Sequence, residues 1–200
     1  MANRLLYLVR HGESRDDELT PVGWQQAELL GARLRDVPFH AIHHSTATRA
    51  VQTLDALTKY LPDAPVYPSD LLREFIPSIP DPEELTPAQA EFFESFPQEV
   101  LDREGPAQAT AALARYGGIP RRAKDDIREL VVSHGNVIRW FTSEALGASE
   151  STWLNMIDYN CSLTVLLYRS GRAPAVVTYN DVGHLPPQLR GTEYPQEWRI

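Results

Sequence analysis

Arg10-His11-Gly12-Glu13 follows directly on a short apolar run, and Ser133-His134-Gly135 follows on another. Each places an imidazole where a strand ends, and at the second the amides opening a helix favour an anion. Ser45-Thr46-Ala47-Thr48-Arg49 ends a third run and enters a helical pattern with Arg49 in its first turn. A cation there opposes the helix dipole by about 0.3 kcal/mol or more, so an anion is expected to meet it. Leu71-Leu72-Arg73-Glu74 adds a carboxylate just after a fourth run. Singly, each has a bland reading: an Arg-His pair at a surface, a histidine capping a helix, a stray charge. Together, two histidines, two arginines and a carboxylate at the ends of separate strands suit phosphoryl transfer through a covalent phosphohistidine. A neutral imidazole, with a pKa of about 6.5, is a usable nucleophile near pH 7 without a metal. Planar arginine forks cancel charge on the equatorial phosphoryl oxygens. The carboxylate protonates the leaving oxygen, then deprotonates the attacking water.

These residues must be held by a sheet. Short apolar runs at Leu5–Val9, Ala41–Ser45, Val66–Pro68, Leu130–Ser133, Ser162–Tyr168 and Ala175–Tyr179 read as strands, nearly continuous and so expected to be buried on both faces. Helical spacing runs over Pro21–Asp36, with Thr20 as its cap, over Ala47–Tyr60 and over Asn136–Leu146. Their alternation predicts an α/β three-layer sandwich with a mostly parallel central sheet flanked by helices, which binds ligands at the carboxyl ends of its strands. From Ile76 the alternation breaks: Pro77, Pro80 and Pro82 lead into two helical patterns, Pro87–Leu101 and Pro106–Tyr116, with no strand between. This is expected to be a helical cap insertion, about 76–118, in one domain spanning 1–200 whose core is 1–75 and 119–200.

The chain resembles the histidine phosphatase superfamily, also called phosphoglycerate-mutase-like, over nearly its whole length. Arg10-His11-Gly12-Glu13-Ser14 is similar to the family signature, with His11 at the position of the phosphorylated histidine. Leu19-Thr20-Pro21-Val22-Gly23 with Gln26-Ala27 resembles the first helix, and Ser45 through Arg49-Ala50 to Gln52-Thr53 the second arginine motif. Glu74 falls where the family has its acid/base, and His134 where it has its second histidine. The resemblance therefore implies His11, Glu74 and His134 as catalytic residues, Arg10, Arg49 and His134 as phosphate ligands, and a phosphoric monoester hydrolase needing no cofactor. Within the superfamily, Leu71–Glu74 with Ile79-Pro80-Asp81-Pro82, Asn136–Trp140 and Asp181–Pro187 resemble the mitochondrial serine/threonine protein phosphatases. The membrane anchor and activating segment that precede the catalytic domain in animal members are expected to be absent, since the first strand starts at residue 5. The substrate is then a phosphorylated small molecule or a phosphoprotein. Two alternatives use the same residues: a phosphoglycerate-type mutase, for which an evident set of extra basic residues is missing, and a non-catalytic phosphate-binding module. One position departs from the pattern. Where many members carry asparagine six residues after the histidine, this chain has Asp17 between Asp16 and Glu18. A phosphate would repel it, so this loop is expected to turn outward.

Composition narrows the partners. Among 200 residues, 42% are hydrophobic and 23% charged, which excludes disordered, collagen-like and membrane-spanning classes. The net charge of −8 argues against nucleic acid and anionic membranes. Nearly all of it sits in one stretch, where Asp81, Glu83, Glu84, Glu91, Glu94, Glu99, Asp102 and Glu104 stand against Arg103 alone. An acidic lid of this kind disfavours polyanionic substrates. The single cysteine, Cys161, and the lack of a long apolar start lead to an expected cytoplasmic location. His40, His43 and His44 are not expected to hold a metal, because neighbours in a strand point apart and no carboxylate is near in sequence. His184 is expected to be structural, and Trp140, Trp153 and Trp198 to be core or interface aromatics. Arg121, Arg122 and Lys124 are expected in a solvated turn. The tail from Leu185 to Ile200 is a candidate for covering a partner subunit in a homodimer.

Overall fold

The computed structural model describes residues 2–120 and 125–200; Arg121, Arg122 and Lys124 lie outside them. The first strand, β1 (Asn3–Arg10), decides the layering: Leu6 and Leu8 pack on one side of the sheet, and Leu5, Tyr7 and Val9 on the other. A short ribbon, β2 (Ser14–Arg15) with β3 (Glu18–Leu19), leads into α1 (Pro21–Leu34). The Thr20 hydroxyl caps α1 by accepting from the Gly23 amide at 3.1 Å, and Pro21 occupies the first helical position. There follow β4 (Ala41–Ser45), α2 (Thr48–Thr58), β5 (Val66–Ser69), α3 (Pro87–Glu94), α4 (Gly105–Tyr116), β6 (Ile127–Ser133), α5 (Gly135–Leu146), β7 (Leu163–Arg169) and β8 (Ala175–Asp181).

The six-stranded sheet runs β5-β4-β6-β1-β7-β8. Its first four strands are mutually parallel, while β7 is antiparallel to β1 and β8 to β7. On one face Ala27, Leu30 and Leu34 of α1 and Leu54 and Leu57 of α2 cover Val9, Ile42 and Val132. On the other, Ala109 and Ala112 of α4 and Val137, Ile138 and Phe141 of α5 cover Leu6, Leu8 and Val131. Each of these larger side chains contributes about 2 kcal/mol by leaving water. This is the mostly parallel three-layer arrangement that the strand and helix patterning implies.

Two expectations need correction. The outer strands are not buried on both faces: Val66 and Tyr67 of β5 and Val177 of β8 are exposed, and Pro68, which lacks a ladder donor, sits on the edge strand β5. The helix expected over Pro87–Leu101 stops at Glu94, because Pro97 cannot continue it; a π-helical turn at Val100–Glu104 then enters α4. The first part of the tail is anchored on its own chain, while Trp198 and Ile200 at its end are exposed. Leu185, Leu189 and Tyr194 pack with Tyr159 and Val182 of the same chain, and the Tyr159 hydroxyl donates to the Trp198 carbonyl.

Candidate active site

The parallel strands bring their carboxyl ends to one edge. There the His11 amide donates to the Ser133 carbonyl at 2.9 Å, joining the loop after β1 to the end of β6. The loop is pressed onto the start of α1. A Cβ on Gly23 would lie 2.1 Å from the Glu13 carbonyl oxygen, and one on Gly12 would lie 2.6 Å from that of Gly23. Only hydrogen fits at either place. The Gly12 amide donates to Thr53 Oγ1 of α2 at 3.0 Å, and Glu13 N to Gln26 Oε1 of α1 at 2.8 Å, so both helices hold the loop that carries His11.

His11 and His134 face each other with ring centroids 5.1 Å apart, and Arg49 lies between them. His11 Nδ1 is 2.8 Å from the Gly12 carbonyl, which can only accept, so the proton is on Nδ1. Nε2 then carries the lone pair, and it accepts from Arg49 Nε at 3.0 Å. His134 has the other tautomer: its Nδ1 accepts from Arg49 Nη2 at 2.9 Å, and its Nε2 bonds Ser45 Oγ at 2.7 Å. Burial and then the nearby charge of Arg10 push the His11 pKa down to about 3. Burial, with His11 and Arg49 beside it, pushes that of His134 down to about 2. Both rings are neutral at pH 7.

Glu74 stands across from the histidines, with Oε2 3.9 Å from His134 Nδ1 and Oε1 accepting from the Asn136 amide in the first turn of α5 at 2.9 Å. Its side chain is 38% exposed at the mouth of a cleft, but protein crowds it on every other side. That crowding raises its pKa, and the Asn136 amide and Arg10 only partly offset the rise. Arg10 Nη1 is held by the Asp158 carbonyl and by Glu193 Oε1, the latter at 2.8 Å. Its Nε is buried without a hydrogen-bond partner among the described residues. The sequence-derived set of His11, His134, Arg10, Arg49 and Glu74 thus converges on one place.

Asp17 corrects the reading of its loop, which turns inward. Oδ1 takes Arg49 Nη1 at 2.6 Å and Oδ2 takes the Thr48 amide at 3.1 Å, in a left-handed conformation with φ 68°. The cause is the unfavourable start of α2: a cation and free amides with no side-chain cap attract the nearest carboxylate.

Sequence reasoning missed Ser45 as a partner of His134, and missed Asn160, whose Nδ2 donates to the His11 carbonyl at 3.0 Å. It also missed Asp158 and Glu193, the acceptors around Arg10. The clustered histidines go elsewhere. His43 packs between Tyr67 and Tyr116 with Glu129 3.8 Å away, a carboxylate brought near by β6, while His44 bonds the Ser45 carbonyl and His40 accepts from the Arg128 amide. Among the described residues no three metal-ligating side chains gather.

Residues 6–182 match the family model described as histidine phosphatase superfamily (branch 1). The chain is 36% identical over 207 residues to the mitochondrial serine/threonine-protein phosphatase Pgam5 of Caenorhabditis elegans, covering 93% of this chain and 66% of that protein. To the mouse mitochondrial PGAM5 it is 36% identical over 196 residues, covering 93% and 65%. It therefore spans a little under two thirds of the length of these relatives. The crystal structure of a Plasmodium falciparum phosphoglycerate mutase superposes with a TM-score of 0.64 at 27% identity, covering 93% of this chain and 96% of that one. The expected cytoplasmic location does not stand, because the relatives sharing 36% identity are mitochondrial. An unpaired thiol reports reducing surroundings and not which compartment provides them. Among the described residues no helix is long and apolar enough to cross a membrane.

Proposed function

The chain belongs to the histidine phosphatase superfamily, and from that premise we propose that it hydrolyses phosphate monoesters through a phosphohistidine formed on His11. The observation that carries this reading is the tautomer of His11, whose Nδ1 is fixed on the Gly12 carbonyl so that the Nε2 lone pair faces Arg49. A neutral, oriented imidazole is ready to attack without first losing a proton.

In the first half-reaction Nε2 attacks phosphorus in line, the P–O bond to the leaving group breaks, and that oxygen takes the proton of Glu74. The raised pKa of Glu74 keeps more of it in the acid form than an ordinary carboxyl would have. In the second, the Glu74 carboxylate takes a proton from water as the water oxygen attacks phosphorus and the P–N bond breaks. The guanidinium groups of Arg49 and Arg10 supply donors to the phosphoryl oxygens. Negative charge arriving beside His134 favours its protonated form, which turns Nδ1 from an acceptor into a further donor.

The experiment is turnover of p-nitrophenyl phosphate with acid quenching. The parent should release phosphate, pass through an acid-labile phosphoenzyme and keep its rate in EDTA, whereas His11→Ala should lose both label and turnover. A His11→Ala variant as fast as the parent overturns the mechanism. Faster isomerisation of 3-phosphoglycerate than phosphate release makes the protein a mutase, and no turnover of any ester makes it a binding module.

A further inference from the structure

On the outer side of Glu74 lies a cavity of about 470 Å³, within the range of small-molecule sites. One wall is α3, whose Ala88, Gln89 and Phe92, continued by Phe96, present one face to it, while Glu91 and Glu94 point to solvent. The opposite wall is Leu154 with Trp153, whose indole is fixed by a 3.0 Å bond from Nε1 to Ser78 Oγ. Phe92 and Phe96 meet edge to face at 5.1 Å. Glu91 and Glu94 therefore do not line this cavity; an apolar, aromatic surface does.

The one cation lining this cavity among the described residues, Arg139, is already paired with a buried carboxylate. Arg139 has Nε 3.2 Å from Asp158 Oδ1, Nη1 on the Met156 carbonyl at 3.3 Å and Nη2 on Asn136 Oδ1 at 2.9 Å. Gln89 Oε1 accepts from the Thr86 amide at 2.9 Å. A second phosphate or a carboxylate placed here would lose its water and meet an arginine whose charge Asp158 already balances.

Glu74 also fixes direction. If it protonates the leaving oxygen, the body of the leaving group extends from Glu74 away from His11, and that is where this cavity opens. Resting on the reading of Glu74 as the general acid, we propose that the cavity seats the leaving group, and that the preferred substrates are phosphate monoesters whose leaving group is an aromatic or bulky apolar body without charge.

The test compares kcat/KM for ethyl phosphate, 2-phenylethyl phosphate and 3-phosphoglycerate, three aliphatic esters in which the ring is not conjugated to the reacting oxygen. The phenylethyl ester should exceed the ethyl ester at least tenfold, and phosphoglycerate should fall below both. Phe92 is 40% exposed, so Phe92→Ala leaves the core intact. That variant and Phe96→Ala should each cut the phenylethyl-to-ethyl ratio severalfold, and Phe92→Leu should retain most of it. Equal rates for the two esters in the parent overturn the proposal, as does a ratio untouched in the Phe92→Ala, Phe96→Ala double variant. If ethyl and p-nitrophenyl phosphate turn over without a preference for the ring, only the leaving-group site is wrong; if nothing turns over, the phosphatase reading falls and this assignment falls with it.

Discussion

Asp17 and Arg49 form an ion pair at 2.6 Å on the edge of the proposed phosphate site, and Asp17 binds the Thr48 amide at the start of α2 at 3.1 Å. The position that carries asparagine in many similar proteins here carries a charge, and these contacts hold its pKa below the usual aspartate range even though desolvation opposes them. Asp17 is thus ionised at pH 7, and under the proposed function an incoming phosphoester meets a carboxylate already on Arg49.

Replacing that charge should ease binding. Asp17→Asn keeps an acceptor for Arg49 and removes the repulsion, worth about 0.7 kcal/mol for a pair this exposed, or roughly a threefold lower KM with kcat little changed. Steady-state kinetics on p-nitrophenyl phosphate at low ionic strength measures it. An unchanged or higher KM means that Asp17 serves chiefly to orient Arg49.

Glu74 sets the alkaline side of the pH profile. The first half-reaction needs its acid form, and burial raises its pKa, so kcat/KM should decline as pH climbs through that raised value. On the acid side His11, held neutral down to about pH 3, should produce no limb near its ordinary 6.5. Glu74→Gln should lower kcat/KM by about 100-fold or more and abolish the alkaline decline. Taking the ratio of parent to variant at each pH cancels ionisation of the substrate, and a ratio constant with pH counts against Glu74 as the acid.

His184 is neutral in the fold for the same kind of reason as His11. Burial and then Arg33 push its pKa down to about 4. A depressed histidine pKa means that the unfolded chain binds the proton more readily, so the stability this provides is whole above pH 6.5 and drains as pH falls toward 4. Between pH 7 and pH 5 the parent should lose about 2 kcal/mol that His184→Gln does not lose. Urea unfolding of both proteins at the two pH values checks this, and parallel losses would refute it.

Gly23→Ala tests the seating of the catalytic loop. Its Cβ would fall 2.1 Å from the Glu13 carbonyl oxygen, an atom that can move only with the backbone carrying His11. The expected cost is about 3 kcal/mol in unfolding free energy, together with a loss of kcat that Gly31→Ala, on the opposite end of α1, should not share. Full activity with normal stability would show that the loop can shift freely.

The parallel half of the site was readable because each of its residues sits at or just past the end of an apolar run: Arg10 and His11 at the end of β1, Arg49 after β4, Glu74 after β5 and His134 after β6. The other half lies at the beginning of a run. Because β7 is antiparallel to β1, with Leu163 opposite Val9, the residues just ahead of it reach the same edge, and Asp158 and Asn160 arrive there. Strand direction is not carried by an apolar pattern, so only the paired fold reveals them. Asp17 was misread from a sound premise: repulsion by phosphate was weighed, while attraction by Arg49 and the open amides of α2 was not.

Arg10 and Glu193 are 183 positions apart along the chain, yet one carboxylate oxygen joins them. During synthesis the strand that bears Arg10 is made well before its clasp. A chain released short of residue 193 contains every motif that marks the site and still leaves this guanidinium without its carboxylate partner. The guanidinium of Arg10 therefore reaches its final geometry only after residue 193 has been made, long after the strand that carries it.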